Sequence, residues 1–288
     1  ESIRLPRTLL AILVGASLAV CGAAIQGLFR NPLADPGLIG VSGGAALAAV
    51  SVIVLGETLL AGMVELLGPY SLMLAAFGGG FVTTLLVSRI ATGRYGTSIH
   101  LMLLAGIAVN VITGAGLGMF SFMANDSQLR TLTFWTMGSL SGATWSTVLA
   151  VTPVILLVLV WLPASAKSLN ALLLGESEAR HLGVNVNRVK KRVILIAALG
   201  VGASVAVSGM IGFVGLVVPH LVRMTLGPDH RYLLPASALL GALFLLVADM
   251  GARTLMAPAE VPIGLITAAI GGPFFIALIV ARGRSASL

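Results

Sequence analysis

Residues 171–192 read ALLLGESEARHLGVNVNRVKKR and carry seven charged side chains: Glu176, Glu178, Arg180, Arg188, Lys190, Lys191 and Arg192. The whole 288-residue chain has only 17 Lys and Arg and 10 Asp and Glu, so this is its densest polar island. What surrounds the island is apolar. The sequence is 58% hydrophobic and 9% charged, with a mean hydropathy of +1.06, whereas a soluble domain is about a quarter charged. An integral membrane protein follows. Apolar stretches of about 20 residues recur, the length an α-helix needs to cross a bilayer, and the strict alternation of a membrane β-barrel is absent. The fold class expected is therefore an all-α polytopic membrane protein. The 35 glycines agree with this, because small residues let membrane helices approach closely.

Nine candidate spans are predicted: 8–29, 37–55, 70–90, 98–122, 146–162, 193–210, 213–226, 232–256 and 263–281. Two of them look like partial or broken helices packed among neighbours, since 37–55 follows a Pro-rich NPLADPG turn and 213–226 contains Pro219. The segment TLTFWTMGSLSG, with Trp135, Met137 and Leu140, is expected to form an interfacial helix with an aromatic anchor rather than a crossing. One membrane domain over 1–288 is expected, with no linker to a second. The sequence opens on Glu1 with no signal-peptide cleavage site, and residues missing before it are expected. The single Cys21 lies in an apolar run, which excludes an intramolecular disulfide.

Nine crossings place the two ends on opposite sides, and positive charge chooses between the two orientations. With the C-terminus inside, Arg30, Arg89, Arg94, Lys167, Arg180, Arg188, Lys190, Lys191, Arg192, Arg223, Arg231, Arg282 and Arg284 are cytoplasmic, and only Arg4, Arg7, Arg130 and Arg253 lie outside. The excess basic charge is thus mostly a topology signal. It gives no support to nucleic-acid binding. The island faces the cytoplasm, where GESEARHLG has the marks of a short helix: acids at its start, bases at its end and Gly183 in place for a left-handed cap. Such a helix, with Ala179 and Leu182 beside its charges, suits docking in a groove on another protein. The plainer alternative is a solvated connector between two spans.

At this point specific motifs accumulate in order along the chain. RLPR at Arg4 to Arg7, QGLFRNPLADPGLIGVSGGAAL from Gln26, LLAG from Leu103, GESEARHLG from Gly175, GFVGLVVPHLVR from Gly212, DHRYLLP from Asp229 and AEVPIG from Ala259 resemble the FecCD family, the permeases of type II ABC importers for vitamin B12, ferric siderophores and haem. The haem permeases are the most similar. Members of that family usually have ten spans, so the resemblance implies that the first family span is absent from this sequence, in agreement with an outside start.

The resemblance implies roles residue by residue. The segment 171–192 matches the coupling helices that fit a cleft on the ATPase subunit, with Gly175, Glu176, Ala179, Arg180, Leu182 and Gly183 as the coupling residues. Arg4 and Arg7 match arginines that, in vitamin B12 importers, face acidic residues on the two lobes of the binding protein, and Arg253 matches a third. Long-range attraction between such rim charges would orient the docked partner. Arg4 and Arg7 alternatively anchor a span end at the headgroups, and Arg253 alternatively pairs with Asp249 four residues earlier. Ser98, Ile99 and His100 align with the cytoplasmic gate, although the family's gate uses small hydroxyl residues, and His100 is otherwise an interfacial polar residue. Asn110 and Thr113 share one helix face, which either lines the pathway or hydrogen-bonds a neighbouring helix. Met119 and Met123 are expected to pack, and His220 either satisfies the carbonyl freed by Pro219 or packs near the cytoplasmic end.

Other function classes have less support. There is no GxxxxGK(S/T), so ATP is expected to be bound by partner subunits, and no catalytic residue, resident cofactor or metal site is assigned. No HExxH is present, and Cys21 has no basic partner nearby in sequence, so a membrane-embedded enzyme is disfavoured. An ion-coupled secondary transporter would carry functional acids or bases at mid-span, and Asp249 alone approaches that, beside Arg253. The expectation is one half of a homodimeric permease in a bacterial inner membrane, with two cytoplasmic ATPase subunits and a periplasmic binding protein. It would carry haem, with ferric siderophore or vitamin B12 as alternatives.

Overall fold

The computed structural model describes residues 4–94 and 96–285, and their side chains except at 279 and 281–285. Arg282 and Arg284, assigned above to the cytoplasm, lie outside the described side chains. The helices are α1 (Arg4–Phe29), α2 (Val41–Leu55), α3 (Ala61–Leu67), α4 (Ser71–Ile90), α5 (Ile99–Met123), α6 (Asp126–Met137), α7 (Trp145–Ala164), α8 (Ala166–Leu174), α9 (Glu176–His181), α10 (Val186–Ser208), α11 (Val214–Leu226), α12 (His230–Thr254) and α13 (Ile263–Ser285). A two-residue antiparallel hairpin, β1 (Thr92–Gly93) and β2 (Gly96–Thr97), joins α4 to α5. Six stretches are long and apolar enough to cross a membrane, and Val41–Leu55, Val214–Leu226 and Ile263–Leu278 are shorter apolar helices, so among the described residues all nine predicted spans are helical. The helix α3 is an addition. Its segment carries exposed Leu59 and Leu66 beside charge, a pattern too short to register as a span.

The bundle is built around α1 and α10, the two most buried spans. Glycine explains how closely their neighbours come. A Cβ on Gly22 would overlap the Gly215 carbonyl of α11, and one on Gly15 would overlap the Gly241 carbonyl of α12. Gly44 of α2 and Gly79 of α4 meet in the same way. Lipid tails are as apolar as leucine, so association of such helices depends on close packing and interhelical hydrogen bonds rather than on hydrophobic burial. One such bond runs from Ser17 Oγ to the Gly200 carbonyl at 3.1 Å. The opposite case is α5, which turns Leu104, Ile107, Val111, Ile112 and Phe122 outward. Met119 and Met123, expected to pack, belong to this exposed face.

Both helices predicted to be partial are short and start after irregular backbone. Between α1 and α2 the chain turns through a 3₁₀ segment, Pro36–Ile39, capped by Asp35 accepting from Gly37 N at 2.6 Å. Non-helical backbone at membrane depth survives only where protein satisfies its polar groups. Here Asn110 Nδ2 of α5 donates to the Gly37 carbonyl at 3.1 Å, and Thr83 Oγ1 of α4 donates to the Gly40 carbonyl at 3.0 Å. Gly106 lets the Leu38 carbonyl lie against α5, since a Cβ there would overlap it. The second break, 209–213, passes through left-handed backbone at Gly209 (φ 66°) and Phe213 (φ 68°) before α11 begins.

Candidate functional site

The polar island at 171–192 folds as the end of α8, the short helix α9 and the start of α10, with Gly175 between α8 and α9 at φ 129°, a conformation that favours glycine. The second, α9, ends as its composition predicts. Val184 N donates to the Ala179 carbonyl and Gly183 N to the Arg180 carbonyl, both at 2.9 Å, with Gly183 at φ 83°, which is a Schellman cap. Glu178, Arg180, His181 and Leu182 are exposed on α9, and Leu173 and Leu174 are exposed just before it. Ala179 is different. It is fully buried, so it anchors α9 to the bundle instead of lining a docking face, a correction the helix period alone could not supply.

Glu176 is the residue of α9 most engaged with the rest of the chain. Its Oε1 lies 2.6 Å from Nζ of Lys190 on α10, while its pair with Arg180 is long, at 3.8 Å, and exposed. Lys190 is 3% exposed and also donates to the Thr97 carbonyl of β2 at 2.8 Å. Sequence reasoning had counted Lys190 only as a topology charge. No local signal singles it out, because Lys190, Lys191 and Arg192 form one basic run. Nearby, the Arg192 guanidinium sits 4.6 Å over the Trp161 ring of α7.

The gate residues follow directly from that hairpin. Ser98 is the N-cap of α5, its hydroxyl accepting from Leu101 N at 3.4 Å, Ile99 is half-buried and His100 is exposed. Together with Arg30, Leu173, Glu176 and Lys190 they line a cleft of about 840 Å³, so the expected gate and the expected coupling helix are brought to one site. A second polar tie holds α8. Asn170 Nδ2 donates to Asp229 Oδ1 at 2.6 Å, and His230 N donates to Asn170 Oδ1 at 2.9 Å. The bond from Arg231 N, with the Asn170 amide second, holds the Asp229 carboxyl below the ordinary carboxylate range.

Proline and glutamine account for the start of α11. Pro219 cannot donate to the Gly215 carbonyl four residues back, and Gln26 Nε2 of α1 fills the gap at 3.1 Å. Gln26 Oε1 in turn accepts from Arg223 Nη1 at 2.9 Å. The His220 ring packs edge-on against Phe274 at 6.0 Å.

The two irregular segments border a cavity of about 370 Å³, lined in part by Asp35, Ser42, Asn110, Met210 and Phe213. Asn110 both lines it and holds the Gly37 carbonyl. Thr113 is buried and its hydroxyl turns back to the Asn110 carbonyl at 3.1 Å.

At the opposite end of the bundle the three arginines expected to meet a binding protein differ. Arg4 is exposed. Arg7 is turned inward, with Nη2 2.9 Å from Asp249 Oδ1 and Nη1 2.8 Å from Glu260 Oε1. Arg253 is half-exposed and pairs with Asp249 Oδ2 at 3.2 Å, as the spacing had allowed. Asp249 is 2% exposed, so its two cationic partners compensate a buried carboxylate.

Among the described residues, nine apolar helices, two of them starting from irregular backbone that lines a cavity, and a short charged helix tied through Lys190 to the β1–β2 hairpin are the architecture of a multi-pass membrane permease. The chain belongs to the FecCD transport family, which it matches over residues 1–281, and it is thus a permease subunit of a type II ABC importer. It is 50% identical over 286 residues to the hemin transport system permease protein HmuU of Yersinia pestis, covering 99% of this chain and 84% of that one. It is 44% identical to the cobalamin import system permease protein BtuC of Halobacterium salinarum, covering 96% and 72%. Among solved structures, an inward-facing metal-chelate-type ABC transporter superposes with a TM-score of 0.88 at 36% identity, over 97% of this chain and 86% of that one.

Proposed function

We propose that the chain is one half of a homodimeric permease that passes haem from the periplasm to the cytoplasm across a bacterial inner membrane, driven by two ATPase subunits and supplied by a periplasmic binding protein. The observation that carries the coupling role is α9: a capped helix rooted through Ala179 and Glu176, with Glu178, Arg180 and Leu182 left exposed. A short rigid helix of this kind transmits displacement instead of absorbing it. Haem is favoured by the 50% identity to a hemin permease. Vitamin B12 is the second cargo, because several cobalamin permeases stand at 42–45% identity.

On the outer side Arg4 and Arg253 offer charge to the binding protein, while Arg7 holds the end of α1 in place. The deciding experiment is uptake into vesicles containing the permease, its ATPase and its binding protein. ATP-dependent haem accumulation that survives collapse of ion gradients is expected. Accumulation of vitamin B12 or a ferric siderophore instead of haem overturns the cargo, and uptake lost with the gradient overturns the mechanism. Charge reversal at Glu176 or Arg180 should impair assembly or ATP-coupled transport, and unchanged behaviour of both variants would remove α9 from the coupling role.

A further inference from the structure

We propose that Lys190 is the positioning residue through which α9 holds the β1–β2 hairpin and the start of α5, so that a displacement of α9 is carried to the cytoplasmic mouth of the pathway. The inference rests on α9 being the contact with the ATPase.

One ammonium joins two elements that are far apart in sequence. Lys190 Nζ lies 2.6 Å from Glu176 Oε1 and donates to the Thr97 carbonyl at 2.8 Å. The carbonyl it holds is a sensitive one. It belongs to the Thr97–Ser98 peptide, whose other end is also held, since Ser98 N donates to the Ala91 carbonyl at 2.9 Å. Ser98 is the N-cap of α5, so a rotation of this peptide changes how α5 starts, where Ile99 and His100 face the cleft. The hairpin has one more hold on α10: Gly96 (φ 106°) lies so close to Asn187 that a Cβ would overlap its amide. Lys190, unlike that contact, reaches beyond α10 to α9.

Burial makes the link obligatory. Only 4% of the Lys190 side chain is exposed, and a buried cation separated from its counter-charge is strongly unfavourable. If ATPase closure draws Glu176 away, the ammonium moves with the carboxylate and gives up the Thr97 carbonyl. Arg180 cannot substitute, because its pair with Glu176 is long and its side chain is 58% exposed.

The test uses the complete importer in vesicles. Lys190→Met keeps the stem and removes the charge. It should leave ATP hydrolysis within about twofold of the parent and lower substrate taken up per ATP by about tenfold, while Lys190→Arg restores a substantial part of the uptake. Unchanged uptake per ATP in Lys190→Met overturns the proposal. So does a fall of hydrolysis and uptake in the same proportion, which marks a merely structural role. A second measurement places a spin label at Arg94→Cys in the exposed hairpin of both copies, native Cys21 being buried. The distance between labels should change on ATP binding in the parent and stay constant in Lys190→Met; an equal change in both overturns the relay. If the parent itself shows no ATP-dependent uptake, the importer reading fails, whereas a transporting parent with an equally coupled Lys190→Met variant sinks the relay alone.

Discussion

Gln26 shows what a single side chain does in a bundle of this kind. Its amide supplies a donor where Pro219 has removed one and an acceptor for Arg223, so it ties α1 to α11 at both of its polar atoms. Gln26→Leu leaves the Gly215 carbonyl without that donor and should cost about 1–3 kcal/mol, read as a lowered unfolding midpoint in detergent. The arginines at the outer end are separable by the same measurement. Arg7→Ala breaks a buried pair and should cost about 3–5 kcal/mol. Arg4→Ala touches an exposed side chain and should stay within about 0.5 kcal/mol. If the two variants unfold alike, the ion cluster is not what holds the end of α1.

Among the elements, α1 and α11 cross at backbone contact. Gly22 sits against the backbone of Gly215, so no side chain fits between them. Gly22→Leu should therefore separate the two helices, break the Gln26 bonds and sharply reduce the yield of monodisperse protein. A normal yield and an unchanged unfolding midpoint would show that the crossing tolerates separation. For α9 the corresponding position is Gly183, whose left-handed backbone costs other residues about 1–2 kcal/mol. Gly183→Ala should loosen the end of α9 and weaken ATPase binding while leaving the unfolding of the bundle nearly unchanged, as titration of the purified permease with its ATPase will show. The cap was legible in advance because it depends on a few consecutive residues. The role of Ala179 was not, since a 3.6-residue period says which residues share a face and not which face meets the bundle.

For the whole molecule the orientation is open to a direct check. Ser177 on α9 and Glu57 after α2 are both exposed and, by the charge distribution, lie on opposite sides of the membrane. In intact cells, Glu57→Cys should react with an impermeant thiol reagent added outside and Ser177→Cys should not, with Cys21 buried and silent. The reverse pattern would invert the topology. The packing agrees with the assignment. The end of α1, the α4–α5 hairpin and the α8–α9 island, all assigned inside, meet at one cleft, while Arg7, Asp249, Arg253 and Glu260 meet at the other end.

The nine helical spans, the two short helices that start after irregular backbone and the short capped helix were determined by the sequence itself, because hydropathy, proline placement and capping are each local in the chain. The partners of the polar side chains were decided only by tertiary structure. Arg7 bonds a residue 242 positions away, Gln26 one 189 positions away and Lys190 one 93 positions away. Nothing local in the sequence encodes which distant group will be within 3 Å. Membrane helices make that information matter: with little water to solvate a buried charge or a freed carbonyl, each must find its partner in the protein. The tertiary pairing thereby turned the polar island at 171–192 from a topology signal into an element joined, through Lys190, to the hairpin that starts α5.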